Sequence, residues 1–147
     1  MIGAIHHLDL NVSDLERSGS FYDRLLTGIG FVRVNLSTPG DPGGFDWMSP
    51  GGTHTRLSIG MYQAAGPSKS HDRNAPGIDH LALRANRRED VDELYRMLLE
   101  IKAEILNAPR EYPQYEPGYY AVFFLDPDGI KLEYVFTPNS DPCKSAA

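Results

Sequence analysis

The sequence predicts an α+β fold made of two consecutive βαβββ modules. The first observation is an internal repeat, because the segment that begins at His7 recurs 73 residues later at His80 with matching apolar positions and matching helix starts. The second is the pattern of each half, which gives an alternating strand, a capped helix and then three short strands. The third is the Asp-Pro-Asp-Gly turn at residues 126–129, which predicts a hairpin near the end of the chain.

Composition limits the classes of partner. The chain has 147 residues, of which 41% are hydrophobic and 23% charged, as in an ordinary soluble globular protein. The net charge of −6, without a Lys/Arg-rich run, argues against nucleic acid as a partner and favours solubility. Cys143 is the single cysteine, which fits a reducing compartment. No signal peptide and no apolar run of about 18 residues is visible, so we expect a cytoplasmic protein that does not enter a membrane.

The first predicted module covers residues 4–62. Residues 5–12 alternate between polar and apolar side chains, which is typical of a half-buried strand. Ser13 at the N-cap and Glu16 at the third helical position form a capping box for a helix that runs to about Leu26. Short strands are predicted at residues 31–36, 45–49 and 53–61. Residues 63–76 are predicted to be a polar linker.

The second predicted module covers residues 77–136 and repeats this order. A strand at residues 77–83 leads to a helix that starts at Asn86 and ends at about Lys102. Three strands follow at residues 104–108, 119–125 and 130–136, and residues 137–147 are predicted to be a frayed tail. The offset of 73 residues pairs the apolar and capping positions of both halves, which indicates an internal duplication.

Three polar residues stand at notable points of the repeat. His7 and His80 occupy corresponding positions on the opening strands, and Glu133 lies between Leu132 and Tyr134 on the closing strand of the second module. A carboxylate in so apolar a strand requires a partner such as a cation. Two imidazoles and one carboxylate form a set that holds a divalent metal and leaves positions open for a substrate. The alternatives for these residues are structural histidines and a surface glutamate.

Three segments carry a resemblance to a known superfamily. They are His7-Leu8-x-Leu10-x-Val12-x-Asp14-Leu15-Glu16-x-Ser18-x-x-Phe21-Tyr22, Asp79-His80-Leu81-Ala82-Leu83, and Phe124-x-Asp126-Pro127-Asp128-Gly129-x-x-Leu132-Glu133. From Ile5 to Phe136 the chain resembles the vicinal oxygen chelate superfamily, which includes glyoxalase I, extradiol dioxygenases, fosfomycin resistance enzymes and bleomycin resistance proteins. The resemblance implies paired modules whose mixed sheet forms a cup with the helices outside.

The same resemblance implies a metal site and an assembly. It assigns His7, His80 and Glu133 as ligands of one divalent ion per site, either Fe, Mn, Ni or Zn, and it implies a homodimer. Glyoxalase I has a fourth ligand, a carboxylate, on the last strand of the first module. Aligning the turn at residues 49–52 with the turn at 126–129 puts Arg56 at that position. Because a guanidinium cannot bind a cation, either His54 is the fourth ligand or the site has three protein ligands and Arg56 binds an anionic substrate.

Aromatic side chains are candidates for the rest of the site. Tyr119 shares its strand face with Phe123, and its hydroxyl is predicted to donate to a substrate oxygen as a catalytic group. His54 is a second catalytic candidate. Trp47 and Phe123 are predicted to line the substrate cavity together with Arg56. The alternative is that these aromatic residues cover the sheet or fill the core, and that Arg56 is a surface charge.

These residues favour a metal-dependent enzyme that acts on a small oxygen-chelating substrate. The preferred reaction is of the lyase or isomerase type, with the metal as a Lewis acid that stabilises an enolate. An extradiol-type Fe(II) dioxygenase is the first alternative. A metal-free protein that binds an antibiotic, as in bleomycin resistance, is the second, and an inactive scaffold is the third.

Overall fold

A computed structural model describes residues 5–34, 44–51, 56–66 and 70–138 of the chain. The chain divides into two compact units, unit 1 (Met1–Ser70) and unit 2 (His71–Ala147). Each unit holds one helix and one mixed four-stranded sheet. The predicted α+β class with two βαβββ modules is confirmed.

The sheet of unit 1 has the strand order β1-β4-β3-β2, in which β1 and β4 run parallel and the other neighbours antiparallel. The elements of this unit are β1 (His7–Val12), α1 (Leu15–Gly28), β2 (Val32–Val34), β3 (Gly44–Met48) and β4 (Ser58–Gln63). The strand predicted at residues 53–61 therefore starts later, at Ser58. Residues 52–55 lie outside the described part of the chain.

The first helix is capped one residue later than predicted. Asp14 is the N-cap, and its Oδ1 accepts a hydrogen bond from the backbone N–H of Arg17 at 3.0 Å. Ser13 instead accepts from the guanidinium of Arg17 at 2.8 Å through its hydroxyl oxygen. The prediction that Ser13 caps α1 is wrong, because an aspartate carboxylate next to it competes for the same free N–H groups.

The sheet of unit 2 has the order β5-β8-β7-β6, again with one parallel pair, β5 and β8. Its elements are β5 (His80–Arg84), α2 (Arg88–Glu100), β6 (Glu104–Glu111), β7 (Tyr120–Leu125) and β8 (Lys131–Phe136). The N-cap of α2 is Arg87 rather than the predicted Asn86. The Asp90 carboxylate accepts a hydrogen bond from the backbone N–H of Arg87 at 3.0 Å, which satisfies one of the free donors at this end of the helix.

The hairpin between β7 and β8 forms as its sequence predicts. Asp126 is buried, and its Oδ1 accepts from the backbone N–H groups of Asp128 at 2.9 Å and Ile130 at 2.7 Å. Gly129 has a φ of +86°, a conformation that favours glycine. This turn fixes the register of β8 against β7, in which Glu133 stands opposite Phe123.

The two faces of the second sheet differ. Val122, Phe124 and Leu132 are fully buried on one face, and Tyr134 lies on that same face, near the carboxylates of α2. The opposite face carries an apolar cluster of Ala121, Phe123, Val135 and Tyr112, with Tyr119 packed against it. Glu133 shares this second face by the alternation of β8.

The strand register confirms the internal duplication in detail. In unit 1 the parallel pair aligns His7 with Ser58 and Asp9 with Gly60. In unit 2 the corresponding pair aligns His80 with Lys131 and Ala82 with Glu133. No helix in the described ranges is both long enough and apolar enough to cross a membrane.

Tyr134 gives unit 2 a defined response to alkaline pH. Burial, together with the charges of Asp90 and Glu93, raises the pKa of Tyr134 from 10.0 to about 12. Because this pKa is higher in the folded state, the protonated hydroxyl contributes to stability below pH 10. That contribution is lost as the pH rises towards 12. When the pH is raised from about 9 to about 11, we expect the unfolding free energy of the parent to fall by roughly 1 kcal/mol more than that of Tyr134→Phe. Urea unfolding at both pH values tests this, and equal losses in the two proteins would contradict it.

Candidate metal centre

Glu133 is the centre of a polar cluster in unit 2. Its side chain lies on β8 and is only 2% exposed. The Oε2 atom lies 3.1 Å from Nε2 of His80, on the neighbouring strand β5. The Oε1 atom accepts a hydrogen bond from the hydroxyl of Tyr119 at 2.5 Å. The structure therefore brings three of the sequence-predicted site residues into direct contact.

The imidazole of His80 is oriented by its neighbour. Its Nδ1 lies 2.6 Å from Oδ1 of Asp79, and this hydrogen bond lowers the pKa of the Asp79 carboxyl. A neutral ring that donates through Nδ1–H carries its lone pair on Nε2, the atom beside Glu133. A carboxylate that holds a histidine in this way is the usual outer partner of a histidine that binds a metal.

The donor chemistry of this cluster fits a divalent cation. Nε2 of His80 and Oε2 of Glu133 stand 3.1 Å apart, with the carboxylate almost fully buried. A buried carboxylate requires charge compensation, and N/O donors of this kind suit first-row transition metals and zinc. Asp79 was not among the residues predicted from the sequence, although its position directly before His80 was the available signal.

Tyr119 keeps its proton in this environment. Burial, and next the hydrogen bond to Glu133, raise the pKa of the Tyr119 hydroxyl well above its ordinary value of 10.0. The hydroxyl is therefore a hydrogen-bond donor near neutral pH, and it cannot serve there as a base. Its partner here is Glu133, and the predicted donation to a substrate oxygen stays a prediction.

An aromatic wall adjoins Glu133. Phe123 stands opposite Glu133 in the β7–β8 register, and its ring centroid lies 6.4 Å from that of His80. The Tyr112 ring meets Phe123 edge to face at 5.3 Å, and Nζ of Lys131 lies 4.6 Å from the Phe123 centroid. These contacts are consistent with the predicted position of Phe123 beside the site. They also place the positive charge of Lys131 at this ring, which was not predicted from the sequence.

His7 lies on β1 in unit 1. Its Nε2 is 3.8 Å from Oδ2 of Asp9, and its Nδ1 is 3.0 Å from Nδ1 of His6. Both His7 and Asp9 are exposed on the polar side of the strand. Among the residues that the structure describes, no three His, Cys, Asp or Glu side chains form a group that could hold a metal ion. The assignment of His7 to the same ion as His80 and Glu133 stays a prediction.

The position predicted for Arg56 is wrong. Arg56 is exposed in the loop before β4, where its Nε donates to the backbone oxygen of Gly51 at 3.0 Å. The strand register gives Gly60, not Arg56, the position that corresponds to Glu133. The alignment failed because β4 starts six residues after Gly52, whereas β8 starts two residues after Gly129. His54, the other candidate for a fourth ligand, lies outside the described residues.

Trp47 lies in the core of unit 1 rather than on a substrate cavity. The side chain is 0% exposed, and its Nε1–H donates to Oδ1 of Asp23 on α1 at 3.1 Å. Its ring packs 6.3 Å from that of Tyr22 on the same helix. The alternation of β3 puts Trp47 on the helix side of the sheet, so the prediction that it contacts substrate is not supported.

Comparison with known proteins agrees with this architecture. Residues 4–134 match the Glyoxalase/Bleomycin resistance protein/Dioxygenase superfamily. The chain is similar to the uncharacterized protein YqjT of Bacillus subtilis, with 31% identity over 133 residues that cover 89% of this chain and 97% of YqjT. It is also similar to the metallothiol transferase FosB of Lysinibacillus sphaericus, with 27% identity over 135 residues, 90% of this chain and 82% of FosB.

Solved structures show the same fold. A glyoxylase/bleomycin resistance protein/dioxygenase domain from Frankia sp. EAN1pec aligns with a TM-score of 0.69 and 22% identity, covering 92% of this chain and 98% of that domain. At this identity the likeness concerns the fold. The sequence match over nearly the whole chain shows that this protein belongs to the glyoxalase/bleomycin resistance protein/dioxygenase superfamily.

Proposed function

We propose that this protein is a metal-dependent enzyme of the lyase or isomerase type that acts on a small substrate with neighbouring oxygen atoms. His7, His80 and Glu133 would hold one divalent ion, either Fe, Mn, Ni or Zn. The observation that carries the proposal is the buried carboxylate of Glu133, held between Nε2 of His80 and the hydroxyl of Tyr119.

A buried carboxylate requires a positive partner as well as hydrogen bonds. Tyr119 donates a hydrogen bond to Oε1 of Glu133, and Nε2 of His80 lies 3.1 Å from Oε2. Because Nε2 and Oε2 are both metal donors, a divalent ion between them is a second way to compensate this charge. A divalent ion, when bound, would supply Lewis-acid polarisation of the substrate oxygens.

The protein groups around the cluster have distinct chemical roles in this proposal. Tyr119 remains protonated near neutral pH and donates its single O–H to Glu133, so a substrate oxygen on which negative charge develops would compete with Glu133 for that proton. Phe123 is an apolar neighbour of Glu133 that is 6% exposed, and Lys131 adds a positive charge at its ring. These groups favour a planar or apolar substrate that carries an anionic oxygen.

Thiol transfer is a second candidate, and the similarity to FosB favours it. FosB is a metallothiol transferase and shares 27% identity with this chain. Transfer of a thiol to a small substrate would use the same proposed ligands. The face beside Glu133 is apolar at Ala121 and Phe123, which suits a substrate with an aromatic or aliphatic body.

A homodimer is also part of the proposal. It rests on the superfamily resemblance, since many members work with a second subunit beside the first. Light scattering coupled to size-exclusion chromatography tests it directly. A mass near twice the 16.4 kDa of the chain is expected, and a monomeric mass at assay concentration would contradict it.

The proposed activity can be tested with protein stripped by a chelator and reloaded with single ions. Three substrate classes discriminate between the reactions: the adduct of a 2-oxoaldehyde with a thiol, a catechol with dioxygen, and an epoxide with a thiol. We expect turnover of the first class, restored by a divalent ion and lowered in Tyr119→Phe. Turnover of the catechol or the epoxide alone would replace this proposal with the dioxygenase or the transferase. Metal-independent binding of an aromatic antibiotic without turnover would refute the proposal that this protein is an enzyme.

A further inference from the structure

We propose that Lys131 binds a carboxylate of the substrate, separate from the neighbouring oxygens that the proposed metal would bind. This inference rests on the proposed function and deepens it, because it gives the substrate a second charged group at a defined place. It also assigns a role to a residue that was not among the site residues predicted from the sequence.

The strand register brings Lys131 to the polar cluster of unit 2. Lys131 and Glu133 are two residues apart on β8, so their side chains point to the same face of the sheet. In the parallel pairing of β5 with β8, His80 is the direct neighbour of Lys131. Lys131 therefore stands at the edge of the cluster, on the face that carries it.

An aromatic ring holds the ammonium group of Lys131 in place. Its Nζ lies 4.6 Å from the centroid of Phe123, and that ring lies 6.4 Å from the ring of His80. The negative face of an aromatic ring attracts a cation but carries no net charge. Phe123 therefore positions the ammonium group beside the cluster and leaves its positive charge to attract an anion.

Lys131 has no ion-pair partner among the residues that the structure describes, because the carboxylates of the cluster contact other groups. Asp79 lies 2.6 Å from Nδ1 of His80 and 3.9 Å from Nε of Arg73. Glu133 lies 3.1 Å from Nε2 of His80. The side chain of Lys131 is half-buried, and a half-buried ammonium group with three N–H donors favours an anionic oxygen as its partner.

The edge of the cluster at Lys131 is open to solvent. The side chain of His80 is 35% exposed and that of Asp79 is 56% exposed, whereas Glu133 is almost fully buried. A small molecule that approaches the cluster from the His80 side therefore meets Lys131 at the rim. A carboxylate at this rim pairs with the ammonium group while the rest of the molecule points towards Glu133.

Binding of an aromatic acid to chelator-treated protein tests the inference without any metal. The probes are phenylacetate and its neutral analogue phenylacetamide, and NMR titration of the backbone amide signals of β8 gives their affinities. We expect the parent to bind phenylacetate roughly tenfold more tightly than phenylacetamide, as for one hydrogen bond to a charged group. Lys131→Met keeps the apolar stem and should lose this preference, whereas Lys131→Arg should keep it.

Arg96→Gln is the matched control for net charge. Arg96 is exposed on α2, and this helix packs on the other face of the sheet, near Tyr134. The substitution removes one positive charge from unit 2 without changing the cluster. We expect the preference for phenylacetate to stay at the parent value.

Turnover of paired substrates is the second measurement, made on metal-loaded protein. The adducts of phenylglyoxal with mercaptoacetate and with 2-mercaptoethanol differ by one carboxylate. We expect a kcat/KM for the acidic adduct that is roughly tenfold higher in the parent. In Lys131→Met we expect equal values for the two adducts.

The inference fails if the parent shows no preference for the acid in either measurement, if Lys131→Met keeps the preference, or if Arg96→Gln loses it as well. Turnover of both adducts without a charge preference would leave the proposed function standing. A preference for phenylacetate that depends on Lys131, in a protein that turns over neither adduct, would leave the anion site and remove the proposed function. If Lys131→Met fails to fold by circular dichroism, Lys131→Gln gives the same test.

Discussion

Glu133→Gln is expected to weaken the binding of a divalent ion by more than about 100-fold, beyond what the loss of an outer partner costs. Glutamine has the shape of glutamate, and its carbonyl oxygen can still accept the hydrogen bond of Tyr119. The substitution therefore removes the charge and the metal-binding oxygen while it keeps the packing. We expect the unfolding free energy of the metal-free protein to change by no more than about 1 kcal/mol.

Glu111→Gln is the matched control for Glu133→Gln. Glu111 lies in the same sheet, at the end of β6, where it pairs with Arg88 at 2.5 Å and is about half exposed. We expect parent-like metal affinity in this variant, because an exposed ion pair contributes little to any distant site. Equal losses in the two variants, measured by calorimetric titration of Mn²⁺, would show that Glu133 acts only through net charge.

Trp47→Ala is expected to lower the unfolding free energy by about 3–5 kcal/mol, the usual cost of removing a large aromatic side chain from a core. Trp47 is fully buried in unit 1 and packs against Tyr22 and Phe45. Its removal also leaves the Asp23 carboxylate without the indole N–H at 3.1 Å. Circular dichroism during urea unfolding measures the loss without requiring the single tryptophan as a probe.

Two controls separate a core role for Trp47 from a role in substrate binding. Trp47→Phe keeps an aromatic ring in the core, so its cost should be smaller than that of Trp47→Ala. Tyr115→Ala removes an aromatic ring that is 65% exposed, and its cost should be within about 0.5 kcal/mol. A loss below about 1 kcal/mol in Trp47→Ala would contradict the core assignment and return Trp47 to a binding surface.

The fold could be predicted because two independent patterns agree. Alternation of polar and apolar residues defined the strands, and the offset of 73 residues between His7 and His80 reappears without change in the strand registers of both units. The turn predicted around Gly129 is also confirmed. The alternation and the turn act over a few residues, and the repeat shows the same local pattern twice, so local preferences and burial indicate the same structure in both halves.

Details that depend on competition between neighbours could not be predicted. Ser13 and Asp14 are both good capping residues, and only the three-dimensional path of the chain selects Asp14. Arg56 was misplaced because the connection before β4 is four residues longer than the connection before β8. A sequence alignment that fixes the turns cannot detect a difference that arises after them.

The candidate site was predicted in part. The residues His80, Glu133, Tyr119 and Phe123 lie together in unit 2, which periodicity and the repeat indicated. The orienting contact of Asp79 with His80 was missed, although the two residues are adjacent in the sequence. The contact of His80 with Glu133 depends on the register of two neighbouring strands, which a single sequence does not contain.

The most direct test of the metal centre is the stoichiometry of ion uptake by the parent protein. Protein purified without an affinity tag, stripped with a chelator and dialysed against Fe²⁺, Mn²⁺, Ni²⁺ or Zn²⁺ would be analysed for bound metal. We expect about one equivalent of at least one ion per chain, lost in both His80→Ala and Glu133→Gln. Absence of uptake from all four ions, or equal uptake by the parent and both variants, would contradict it.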